Sequence, residues 1–116
     1  MSEELPYQGM SVTQLKIDHS LTLLLDGGAQ IVIEGVAFLD GVRLDPDRQD
    51  VVPALALFEA RVRSAVAAGT GELRVEFEDS RRLTVAPDPR YEAWNVAGPG
   101  ALRVVCVPGG DLTVWS

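Results

Sequence analysis

The chain of 116 residues has one cysteine, one histidine and few aromatic side chains, 6% of the total. Each scarcity removes a class of answer. With Cys106 alone no intrachain disulfide can form, and a metal site of clustered thiolates is excluded. A reducing cytoplasm fits such a chain. His19 has no second imidazole to work with, so any metal site would rest on carboxylates. Its neighbours spell Asp18-His19-Ser20, but triads are assembled from separate elements, and successive strand residues point to opposite faces. His19 therefore reads as a turn residue. Long apolar runs are absent too: Leu21 to Leu25 and Leu102 to Val107 are strand-length, far below the ~20 residues that cross a bilayer. The first residues, Met1 to Pro6, carry glutamates where a secretory signal carries positive charge, so no targeting segment is expected. Basic residues are outnumbered 10 to 17, a formal charge of −7. That sign opposes nucleic-acid phosphates and anionic lipid, and neither is expected as a partner. The glycines match neither phosphate-cradling pattern.

What is present describes one soluble domain, residues 1–116, with 47% hydrophobic and 23% charged residues. At this length folding buries roughly two thirds of the unfolded surface, so the core needs no cofactor and none is expected. Leu21 to Leu25 and Ala29 to Ile33 flank Asp26-Gly27-Gly28, a tight-hairpin signal. Leu73 to Phe77 and Leu83 to Val85 form a second hairpin, with apolar Leu73, Val75 and Phe77 alternating with charge. The hairpins superpose at an offset of 52, and Val12 to Ile17 and Val62 to Ala67 precede them, which suggests an internal repeat over 11–34 and 61–86. Ser80 stands in the second turn where glycine is expected. Asp40 to Asp50 reads as an exposed acidic loop. Pro53, with Leu55, Phe58 and Val62 at helical spacing, predicts a short helix. That spacing can run on to Gly69, while Arg61 to Val66 also alternates as a strand; we favour the short helix followed by the strand. A strand set over 91–116 completes the reading: α+β, mostly antiparallel, two similar three-stranded meanders with one short helix between them, and C-terminal strands completing a curled sheet or sandwich.

The string Pro87-Asp-Pro-Arg90-Tyr91-Glu92-Ala93-Trp94, with Gly98-Pro99-Gly100, Pro108-Gly109-Gly110-Asp111 and the upstream Asp18-His19-Ser20-Leu21, resembles an uncharacterised family of small actinobacterial proteins. The resemblance covers most of the chain. It implies kinship and a bacterial source, and it carries no catalytic residue.

Candidate chemistry is sparse. Asp40, Asp45, Asp47 and Asp50 lack the spacing of a calcium loop and read as solvated charge. Cys106, between valines, reads as a buried inert thiol. Tyr91, Trp94 and Trp115, with Arg90 nearby, are candidates for a binding patch because aromatic and arginine side chains concentrate at hot spots. Residues 1–58 carry three basic and nine acidic groups, against seven and eight in 59–116. The reading that follows is a non-catalytic interaction module, immunity-like or antitoxin-like, whose acidic half masks a basic protein partner. A small-ligand module or weak enzyme using the C-terminal aromatics, and a homodimer or larger homo-oligomer paired through strand edges, are the alternatives.

Overall fold

The computed structural model describes residues 2–116. Twelve strands occupy the described chain: β1 (Glu3–Glu4), β2 (Val12–Ile17), β3 (Leu21–Leu25), β4 (Ala29–Ile33), β5 (Ala37–Leu39), β6 (Val42–Leu44), β7 (Val62–Ala67), β8 (Leu73–Phe77), β9 (Arg82–Val85), β10 (Trp94–Ala97), β11 (Arg103–Cys106) and β12 (Leu112–Trp115). They build two six-stranded antiparallel sheets, ordered β1-β7-β8-β9-β5-β6 and β12-β11-β10-β4-β3-β2. Residues 62–67, which the sequence left between helix and strand, are the strand β7.

Alternation decides which face is dry. Leu21, Leu23, Ile31, Ile33, Trp94 and Val104 from one sheet meet Val62, Leu73, Val75, Phe77 and Leu83 from the other in one buried core. Each such aliphatic side chain contributes roughly 1.5–3 kcal/mol on leaving water. The N-terminal segment closes one end of this core through Tyr7, fully buried, whose hydroxyl donates to the Gly98 carbonyl at 2.8 Å. Burial pushes the Tyr7 phenol up to about 12. Between pH 10 and about 12 the unfolded phenol sheds its proton while the folded one keeps it, so stability is lost as pH rises. We expect a loss of roughly 2–3 kcal/mol across that window, measured by urea titration and absent in Tyr7→Phe.

The three-stranded meanders β2-β3-β4 and β7-β8-β9 are present as expected, and each is followed by a hairpin that joins the opposite sheet. β5 pairs with β9, and β10 pairs with β4. Both meanders carry a register shift at the same place, Val12/Gln14 and Val62/Ser64. Where the two segments cross, hydrogen bonds are reciprocal at an offset of 50: Val62 N–H donates to Met10 O and Val12 N–H to Ala60 O, each within 2.9 Å. The second hairpin turn holds Ser80 at φ 74, the conformation that Gly28 takes at φ 80 in the first. A side chain there is strained, so Ser80→Gly should stabilise by about 1 kcal/mol, read from the urea midpoint.

Two expectations are corrected. No α-helix follows Pro53: Val52–Leu57 is a 3-10 turn, in which Ala54 N–H reaches back only to Val51 O. A repeat of three buries Ala54 and Leu57 and turns Leu55 and Phe58 outward, contrary to the helical stripe the spacing suggested. The left-handed Glu59, φ 69, then sends the chain into the pairing before β7. The fold is accordingly mostly antiparallel β with very little helix, rather than α+β. The stretch 40–50 is likewise not all loop. Asp40 (φ 50) and Gly41 (φ 80) form the tight turn between β5 and β6, a hairpin signal hidden among aspartates.

Candidate functional site

Four segments converge on an open cleft of about 780 Å³: His19 from the β2–β3 turn, Glu34 to Val36 between β4 and β5, Asp45 and Asp47 after β6, and Asp88, Tyr91 and Glu92 before β10. Five carboxylates and no lysine or arginine line it. Local hydrogen bonds set each side chain. Asp18 Oδ1 accepts from Ser20 N–H and Oγ at 2.8 and 2.9 Å, which fixes the turn that holds His19 outward. Those same bonds hold the Asp18 carboxyl below the usual carboxylate range. Asp88 Oδ1 accepts from the Arg90 and Tyr91 amides at 2.7 and 3.0 Å, a turn that presents the Tyr91 ring with 70% of its surface in water. Glu34 and Gly35 both donate backbone N–H groups to Ala93 O, bringing the two loops edge to edge. A Cβ at Gly35 would already sit 3.4 Å from Ala93, so this approach is close.

The electrostatics are uneven. Asp45 lies within 3.6 Å of Arg43 and 3.9 Å of Arg48, which offset its charge. Among the described residues no cation pairs with Glu34. Its carboxyl is raised, first by burial and then by repulsion from Glu92, and the Asn95 amide at 3.5 Å relieves it only in part. His19 Nδ1 faces Asp47, 3.3 Å from the carbonyl and 3.8 Å from the carboxylate.

Of the residues the sequence singled out, Asp45, Asp47, Tyr91 and His19 come together in this cleft. The others do not. Asp40 is engaged with β9, its carboxylate accepting the Arg82 N–H at 2.9 Å. Asp50 pairs with Asp45 through the backbone, and Arg90 enters the cleft wall only through its amide. Trp94 is wholly buried, its indole N–H donating to Gly71 O at 2.9 Å, and so belongs to the core rather than to a binding patch. Trp115 lies half exposed over a separate shallow concavity with Arg103 and Val105. Glu34, Asp88 and Glu92 had drawn no notice in the sequence, although Asp88 and Glu92 lie inside the string that carries the family resemblance.

Chemically the cleft can accept positive charge and hydrogen-bond donors. Asp-His-Ser forms no relay, because Ser20 donates to Asp18 and His19 turns to Asp47. Cys106 is buried, its thiol contacting Gly71 O at 3.4 Å, and burial raises its pKa. Among the described residues no group of three or more His, Cys, Asp or Glu is placed to hold a metal ion, and no helix is long and apolar enough to cross a membrane. A family model described as a family of unknown function (DUF6188) matches residues 3–116. The chain belongs to that family. No curated protein and no solved structure matches it.

Proposed function

We propose that the chain is an interaction module of the immunity-like or antitoxin-like kind, which uses the cleft between its two sheets to receive a basic side chain of a protein partner. The observation that carries this reading is the Glu34 and Glu92 wall of a cleft that no lysine or arginine lines, where the two carboxylates repel one another and an incoming cation relieves that repulsion. The acidic surface is thus assembled from both halves, since Asp88 and Glu92 come from the less charged one. A labelled oligo-arginine peptide is the probe. Saturable binding that weakens with salt, and is lost in the Asp47→Asn, Glu34→Gln, Glu92→Gln triple variant, is expected. Absence of binding at low salt, or equal binding by the triple variant, overturns the reading.

The exposed Tyr91 ring on the same wall favours a second reading, a small guanidinium or ammonium ligand held partly by cation–π contact. Free arginine at 100 times its dissociation constant would then stabilise the protein by ~2.7 kcal/mol, an effect expected to fall in Tyr91→Ala.

We also propose that the two meanders are copies of one unit. The reciprocal bonds at offset 50, the paired register shifts and the matched left-handed Gly28 and Ser80 support it. The turns corresponding to the cleft, 68–72 and 108–111, meet backbone to backbone: a Cβ on Gly71 would stand 2.5 Å from Gly110 O. One inter-sheet opening is then sealed and the other kept open by charge. Aligned family members should show columns 9–34 resembling columns 59–86 more than shuffled columns do, and no excess over shuffled columns overturns the duplication.

A further inference from the structure

The outward faces of the two sheets differ in kind. On the sheet of β7, β8 and β9 the outward side chains form a solvated ladder, with Glu76 held by Arg63 at 3.1 Å and by Arg82 at 3.4 Å. Across the other sheet, the register sets two unbroken outward rows, from Thr113 to Lys16 and from Trp115 to Gln14. Neither row contains a carboxylate, in a chain with 17 acidic residues. Val32, Leu24 and Trp115 stand there among amides and hydroxyls, Val105 and Thr22 are almost covered by their neighbours, and Lys16 and Arg103 are the only charges of the two rows. Carboxylates reappear at one end of the face, where Glu34 accepts from Asn95 and Glu92 precedes β10, at the far end of the concavity that Arg103 and Trp115 also line.

We infer that this face is a contact between two copies of the chain, related by a two-fold axis that lies between the faces and across the strands. Charge complementarity argues for a second copy. Two molecules of charge −7 repel on most approaches, yet this axis lays the Glu34 and Glu92 end of one copy over the Arg103 end of the other, twice. The six strands span about 24 Å at the usual spacing and the two rows lie about 7 Å apart along the strands. Such a contact lies at the small end of specific interfaces, below roughly 1,200 Å² in total, so association is weak and reversible.

Sedimentation equilibrium across a concentration series tests this. A monomer–dimer equilibrium is expected for the native chain, with Val32→Glu monomeric and Thr84→Glu, on the opposite outer face, still dimerising. Arg103→Glu alone and the Glu34→Arg, Glu92→Arg pair alone should each be monomeric, while an equimolar mixture of the two restores a dimer because each charge again meets its opposite. That rescue also shows that the variants fold. A native chain monomeric at the highest soluble concentration, a dimer that survives Val32→Glu, or one abolished equally by Thr84→Glu overturns the inference. Failure of the mixture to associate overturns the two-fold arrangement.

Discussion

Trp94→Ala is expected to cost about 3–5 kcal/mol, a large share of the roughly 5–15 kcal/mol by which a domain of this kind is stable. Two effects add. The largest wholly buried side chain leaves a cavity at the junction of β10, β4 and β11, and its indole N–H no longer satisfies Gly71 O in the turn before β8. That hydrogen bond ties one sheet to the other, so the loss is felt in both. Trp94→Phe keeps most of the apolar volume and removes only the donor, leaving Gly71 O to the Cys106 thiol. Its cost should be nearer 1–2 kcal/mol. Urea unfolding followed by circular dichroism separates the two, with an unchanged slope showing that stability alone has shifted. A cost below about 1 kcal/mol for Trp94→Ala would mean that the ring is not the core anchor.

Gly71→Ala should be comparably damaging for a different reason. Gly71 has φ 95, and a methyl group there would lie 2.5 Å from Gly110 O and 2.6 Å from its Cα, both backbone atoms that cannot swing aside. Either the 108–111 turn moves away, unsealing that end of the sandwich, or the β7–β8 turn does and breaks the Trp94 bond. We expect a loss of about 3 kcal/mol or more. Gly109→Ala is the matched control: its φ is 90, but nothing lies within 4 Å of the added Cβ. That variant should lose only the conformational part, about 1–2 kcal/mol, and the difference between the two measures the close approach of the turns.

Gly71 and Gly110 show what could be read from the chain and what could not. Both stand in turns between strands, where local chemistry favours glycine. Their mutual contact spans 39 positions and depends on how the β8 and β11 hairpins enter opposite sheets, which no local pattern encodes. The same limit produced the helix expected after Pro53. Leu55 and Phe58 do follow a helical spacing, but the pairing of Ala60 and Val62 with Val12 and Met10 overrode it. Asp40-Gly41 is a hairpin signal whose surrounding aspartates give the stretch the composition of a loop. The cleft was half legible: Asp45, Asp47 and Tyr91 were singled out, but as members of separate groups.

Composition and alternation by themselves determined an acidic, mostly antiparallel β chain without an intrachain disulfide, its two meanders, and Cys106 as a buried thiol, because strand faces and turns follow from residues two to four positions apart. Only the tertiary structure decided that each meander lends its following hairpin to the other's sheet. That exchange buries Trp94 away from Tyr91, gathers Glu34, Asp47 and Glu92 from distant segments onto one wall, and leaves a sheet face without carboxylates, since which side chains become neighbours is set by strand order and register, and these are properties of pairing over long distances in the chain.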